Sequence, residues 1–219
     1  MPPDPIILAF DTSAAHCAAA LLSGDRIVTR VDEMAKGQAE HLMPMLEEML
    51  AGEGLAWRDL TALGVGIGPG NFTGIRISVS AARGLAIGLG IPGIGVSILE
   101  AQVDGHDMVL ASCLRAPRDR LYIQGFNGGP LTAPAMSAFR SDDMPNLPAK
   151  AEPRVCGDCA DEVAALTGWQ PIKPLAHPIR GIAHIARRRM HSTKERPAPL
   201  YLRSADAAPP RDAPPKILT

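Results

Sequence analysis

Two apolar periods organise this chain. Residues 6–10 form a short, continuous apolar run that ends at Asp11, which predicts a strand buried on both faces. Asp11, Thr12 and Ser13 interrupt it with polar side chains. Residues 17–22 predict a second strand, closed by the turn residues Ser23, Gly24 and Asp25. Residues 26–31 alternate well enough for a third, antiparallel strand. The period then changes. Between residues 38 and 51, Leu42, Met45, Leu46, Met49 and Leu50 recur at helical spacing, and Gly52 and Gly54 end the pattern. Pro44 removes one helical hydrogen bond, so it belongs in the first turns or at a kink. Residues 62–67 read as a small-residue strand, residues 68–74 as a loop, and a second helix runs to about Leu89. Residues 94–96 read as a strand, with Ser97 capping a short helix.

The second half repeats this logic less clearly. Residues 108–114 and 121–126 predict paired strands. A Pro-rich stretch follows, then a strand near Val155 and helices over residues 161–166 and 182–190. No short-period repeat is visible.

The second helix carries two apolar stripes, Ile75-Val79-Ala82-Ala86 and Ile77-Ala81-Leu85-Leu89. A helix with two apolar faces needs cover on both sides. One is expected on its own sheet, the other on a second domain or another chain. Ser80, Gly84 and Gly88 follow one another at i+4, and small residues in line let another helix approach closely.

Composition divides the chain. Residues 1–100 hold 6 Lys+Arg against 11 Asp+Glu, whereas residues 173–203 hold 8 against 1, and 14 of the 21 prolines lie after residue 129. This favours two lobes, residues 1–102 and 103–196, followed by a Pro-rich segment, residues 197–219. The net charge of -1 argues against a protein that grips nucleic acid unaided. The most apolar stretch, residues 75–94, is broken by Arg76, Arg83 and Pro92, so no membrane span is expected. Without a secretory pattern at the start, a cytoplasmic location is expected, with Cys17, Cys113, Cys156 and Cys159 as reduced thiols.

The run Gly68-Pro69-Gly70-Asn71-Phe72-Thr73-Gly74-Ile75-Arg76 resembles the signature of the TsaB (YeaZ) family. Residues 7–22, the segment His41-Leu42-Met43-Pro44 and the segment Pro199-Leu200-Tyr201-Leu202-Arg203 resemble that family in the same order. The likeness is close through residue 100 and looser over residues 101–196. It implies an α/β fold of two lobes of the actin, sugar-kinase and Hsp70 (ribonuclease H-like) type, each a mixed sheet flanked by helices. It implies a non-catalytic subunit of the complex that adds threonylcarbamoyl to N6 of adenosine 37 in tRNAs reading codons that begin with A. The implied partners are a TsaD-like catalytic subunit, a TsaE-like ATPase, tRNA through the complex, and a second copy of the chain. The interface implied by first-lobe helices takes in His41, Leu42, Met45, Met49, Ile77, Ser80, Ala81, Arg83, Gly84 and Gly88.

Paired metal-binding histidines need i, i+4 spacing, but His41 has Gly37 and Met45 four residues away, so it reads as a structural or interface residue. Cys156 and Cys159 make one C-x-x-C, half of a closed zinc site at most, and read as ordinary thiols. Asp11, Thr12 and Ser13, with Gly70 and Thr73 in the glycine loop, are either an anion cradle or two tight turns. The cradle would suit an alternative function, a stand-alone small-molecule kinase or ATPase. The turns fit a chain with no cofactor of its own and ATP or ADP entering only in the assembled complex. Arg180, Arg187, Arg188, Arg189, Lys194, Arg196 and Arg203 form a basic stretch, either a solvated face or a contact to the tRNA backbone.

Overall fold

The computed structural model describes residues 4–202; residues 203–219, which hold most of the Pro-rich segment and Arg203, lie outside the described residues, as do residues 1–3. In the first lobe, β1 (Ile6–Asp11), β2 (His16–Ser23) and β3 (Arg26–Glu33) form an antiparallel meander. On the other side of β1, β4 (Ala62–Gly66) and β5 (Gly93–Val96) add in parallel, giving the order β3-β2-β1-β4-β5. The connections are α1 (Gln38–Gly52) and α2 (Phe72–Leu89), and α3 (Ile98–Ala101) follows β5.

The second lobe has the same plan. β6 (Val109–Ala116), β7 (Arg120–Asn127) and β8 (Ala135–Ala138) are antiparallel, and β9 (Arg154–Gly157) and β10 (Gln170–Ile172) run parallel beside β6, with α4 (Ala160–Thr167) between them. Its order, β10-β9-β6-β7-β8, is that of the first sheet, strand for strand. The sequence pattern misses β8 and β10, which have only four and three residues. Strands that short carry too little alternation to stand out among prolines.

Both faces of the first sheet are covered, which explains the continuous apolar run in β1. Leu8 and Phe10 pack with Cys17, Ala19 and Leu21 under α1 and α2. Ile7 and Ala9 point the other way and pack with Ala18, Ala20 and Leu22. The helix on that second face is α5 (Pro178–Arg189), through Ile179, Ile182, Ala183, Ile185 and Ala186. Residues 178–189 therefore pack on the first sheet, although a division at residue 102 assigns them to the second lobe. The chain leaves the first lobe after α3, builds the second sheet and returns to close the first. Pro44, seventh in α1, is exposed, and the helix continues through it.

The basic end of α5 is used internally. Arg187 donates to the Gly24 carbonyl at 2.7 Å, Arg188 pairs with Asp104, and Arg189 holds both carboxylate oxygens of Glu100. These contacts tie α5 to the β2–β3 turn and to the α3 region. Three of the cations considered for tRNA contact are thus anchoring groups. Among the described residues, no helix is long and apolar enough to cross a membrane.

The start of α2 is fixed by a backbone clasp. The Thr12 hydroxyl donates to the Gly74 carbonyl at 2.6 Å, and the Asn71 amide donates to the Ser13 carbonyl at 2.7 Å. A Cβ on Gly74 would lie 1.9 Å from the Thr12 carbonyl oxygen, and one on Gly70 would lie 2.4 Å from that of Ser13. Glycine is needed at both positions for close approach. Buried Ser78 completes the join by donating to the Gly66 carbonyl.

Three substitutions have expected outcomes readable as urea or thermal unfolding. Gly74→Ala should destabilise by about 3 kcal/mol through overpacking, whereas Gly84→Ala, where a Cβ meets nothing within 4 Å, should be neutral or stabilise by up to about 1 kcal/mol. Ile182→Ala should cost about 2–5 kcal/mol, because the side chain is fully buried against the first sheet.

Candidate functional site: an interlobe cleft and an open helix face

Two places on the molecule merit a functional reading. The first is a cleft of about 550 Å³ between the lobes, within the size range of small-ligand sites. The β1–β2 loop, the glycine loop and the start of α5 line one wall; Leu114, Arg115, Pro117, Tyr122 and Asp158 line the other. Asp11 anchors the floor. Its Oδ2 accepts from the Ser13 amide at 3.2 Å, the Ser13 hydroxyl at 2.9 Å and His16 Nε2 at 3.0 Å. Its Oδ1 lies against Gly66, where a Cβ would come within 2.0 Å. The hydrogen bond to Asp11 raises the His16 pKa in spite of burial. His177, whose ring sits 5.7 Å from that of His16, is shifted down by burial and then by His16.

The geometry favours the tight-turn alternative over the cradle for Asp11, Thr12, Ser13, Gly70 and Thr73. The structure brings the five together, with the Thr12 and Ser13 hydroxyls and Asp11 Oδ2 engaged within the chain and Asp11 Oδ1 buried without a hydrogen-bond partner. The Thr12 and Ser13 hydroxyls donate to Gly74 and Asp11. Asn71 Oδ1 accepts from the Thr73 and Gly74 amides at 2.9 and 3.0 Å, so the start of α2 is capped by its own chain. At the other helix start facing the cleft, His177 Nδ1 accepts from the Ile179 amide at 3.2 Å. A phosphate needs free donors, and the Thr73, Gly74 and Ile179 amides are spent on the caps. The two loops are tight turns, clasped to each other.

The second place is the outer face of α1 and α2. Leu42, Met45 and Met49, expected at an interface, point inward and pack against the first sheet at 1%, 0% and 8% exposure. They are core residues and offer nothing to a partner. His41 is half-buried, with Nε2 2.6 Å from Asp32 Oδ2. The Arg30 guanidinium and then His41 hold the Asp32 carboxyl below its ordinary range. On α2, Ile77 and Ala81 are half-buried at the edge of the core, and Ser80, Arg83, Gly84 and Gly88 are exposed. Nothing lies within 4 Å of a Cβ built on Gly84 or Gly88. Two large apolar side chains flank this open strip, Phe72 at 53% and Ile87 at 68% exposure.

The segment after α5 runs along the same helix. Arg83 donates to the Pro197 carbonyl at 2.7 Å, the Leu200 amide donates to the Ile67 carbonyl, and Arg76 donates to the Tyr201 hydroxyl at 2.9 Å. The Arg76 guanidinium also lies 3.7 Å from the Phe72 ring centroid, and that ring packs on Tyr201 at 5.3 Å. The sequence pattern did not single out Asn71, Phe72, Arg76, Ile87, Tyr201, His16 or His177 as site residues. Asn71 was findable, since an Asn just before a helical pattern is a cap signal. Ile87 was findable too, because it stands outside both apolar stripes.

The four cysteines are buried free thiols. Cys156 and Cys159 point to opposite sides of the second sheet and belong to different core clusters. Cys159 meets Cys113 instead, and their hydrogen bond, with burial, pushes the Cys113 thiol up. Burial alone pushes Cys156 to about 11. Among the described residues, no three His, Cys, Asp or Glu side chains converge as metal ligands would.

Known proteins resemble the chain at several levels. A family model described as TsaD: tRNA N6-adenosine threonylcarbamoyltransferase matches residues 32–141. The tRNA threonylcarbamoyladenosine biosynthesis protein TsaB of Escherichia coli is 36% identical over 99 residues, which span 45% of this chain and 43% of that protein. The chain therefore matches less than half the length of that relative. An uncharacterized Mycobacterium tuberculosis protein is 32% identical over 212 residues, covering 93% of this chain and 94% of its own. The structure of YeaZ from Pseudomonas aeruginosa superposes with a TM-score of 0.73 at 25% identity, covering 90% of this chain and all of that one. With the two-lobed fold, the glycine-loop signature and these matches together, the chain belongs to the TsaB (YeaZ) family.

Proposed function

We propose that this protein is a non-catalytic subunit of the machinery that transfers threonylcarbamoyl to adenosine 37 of tRNA, and that it acts by docking a TsaD-like catalytic subunit. The observation that carries the reading is the outer face of α2. A strip of small residues with open space above it, flanked by exposed Phe72 and Ile87, is costly to leave in water. Small residues let a second helix come close, and the flanking apolar groups add buried area on docking. The interface on this reading consists of Phe72, Ile77, Ser80, Ala81, Arg83, Gly84, Ile87 and Gly88, with His41 at its margin.

Charge supports the same face. α2 carries Arg76 and Arg83 and no acidic residue, while the exposed side of α1 carries Glu40, Glu47 and Glu48. A surface split in this way is self-complementary about a two-fold axis, and suits either a second copy or a subunit of the same fold. The TsaE-like ATPase, the tRNA and any ATP or ADP enter through the assembled complex. Catalytic groups lie in the partner on this reading; the self-capped helix starts of the cleft favour it over a stand-alone kinase.

Purified chain mixed with the TsaD of the same organism should co-elute, and threonylcarbamoyl transfer to tRNA should require both. Gly84→Trp and Ile87→Asp should each raise the Kd of that complex at least about tenfold, with the unfolding midpoint kept. Binding unchanged by both variants would misplace the interface, and full transfer by TsaD alone would remove the need for this subunit.

A further inference from the structure

The chain re-enters the first lobe at His177, the residue just before α5. While its Nδ1 accepts the Ile179 amide hydrogen, the imidazole is neutral and keeps its proton on Nε2. Ile179 is fully buried beneath the first sheet. The cap thus fixes the first turn of the helix that closes that sheet. The edge of the ring meets His16, which is itself bonded to Asp11. Two imidazoles with different duties share one wall of the cleft: His16 as the partner of a carboxylate, His177 as the acceptor of a backbone amide.

We propose that His177 is a pH-sensitive latch at the return between lobes, in which protonation of Nδ1 releases the cap on α5 and loosens the crossing from the second lobe. The inference is independent of the partner reading above. A protonated Nδ1 is a donor and cannot accept from Ile179. It also places a cation at the positive end of the helix.

The groups around the ring set the balance. Asp11 on β1 and Glu33 on β3 favour its protonation, and His16 on β2 opposes it. Across the cleft stand Arg115, already paired with Glu162, and Asp158, which accepts from the Arg115 amide. On its own helix stand Arg180 and His184. Burial and His16 prevail, so His177 is held below its ordinary value of 6.5. The folded state therefore loses stability as the pH falls through 6.5 toward that lower value. His16 works in the opposite sense. Its pKa is raised, so its contribution is complete below 6.5 and lost as the pH rises through the raised value. The cap itself stays closed as the pH rises, and only the His16–Asp11 contribution falls away there.

Amide hydrogen exchange on the full chain, corrected for intrinsic rates, tests this. Between about pH 7.5 and about pH 4.5, protection of the Ile179 amide should fall at least about fivefold, while that of Val79 in α2 stays level. His177→Asn, whose side-chain oxygen caps without titrating, should hold Ile179 protected at both values. His177→Ala should leave it unprotected at both. Equal protection of wild-type Ile179 at the two values, a parallel loss at Val79, or a loss in His177→Asn matching the wild type would each overturn the latch.

Discussion

Van der Waals contact between two stretches of backbone, the β1–β2 loop and the glycine loop, sets the geometry on which the first lobe depends. Without side chains at Gly70 and Gly74, the Thr12 and Ser13 carbonyls press directly onto the start of α2. Hydrogen bonds then lock the approach from both directions. Once the start of α2 is placed, its rotation is fixed, because Ile75, Ser78, Val79 and Ala82 must face the sheet. Whatever remains on the far side, Ser80, Gly84, Ile87 and Gly88, is thereby presented outward. The glycine loop thereby aims the helix whose outer face is the one proposed for docking.

The opposite face of the same sheet obeys a different constraint. Ile7, Ala9, Ala18, Ala20 and Leu22 need an apolar cover, and the chain supplies it from a helix that follows the whole second lobe. The two lobes are consequently interlocked. Neither the first sheet's core nor the anchoring of Arg187, Arg188 and Arg189 is complete until α5 has returned. The arginines give that return its register, since their partners Gly24, Asp104 and Glu100 lie on different segments of the chain.

Most of the first lobe was legible because its elements are long and carry clean periods. β1, β2 and α1 fall where the apolar pattern puts them; the first stripe of α2 packs on its own sheet, and the second, expected against a second lobe or another chain, lies half-buried at the edge of that same core. The errors have physical causes. Leu42, Met45 and Met49 obey the helical period because they are core; periodicity marks the buried face and is silent about the exposed one. Arg187 to Arg189 look like a free basic patch because their partners are 84 to 163 residues away in sequence. Residues Thr12 and Ser13 look like anion ligands because sequence shows hydroxyls and hides what they already bind. Repetition between lobes was invisible in the residues, since it resides in strand order and parallelism and not in side-chain identity.

A cleft that keeps the size of a ligand site while its flanking helix starts are capped by Asn71 and His177 argues for a division of labour within this architecture. Helix starts recruit anions only when their amides are unpaired. Filling them internally trades that capacity for rigidity, since each cap contributes about 1 kcal/mol. The two caps are not equivalent. Asn71 is an amide that no pH change alters, and it secures the helix carrying the exposed face. His177 is titratable, and it secures the helix that joins the lobes. On these two proposals, the surface for another protein is held by a permanent contact, and the relation between the lobes by a conditional one.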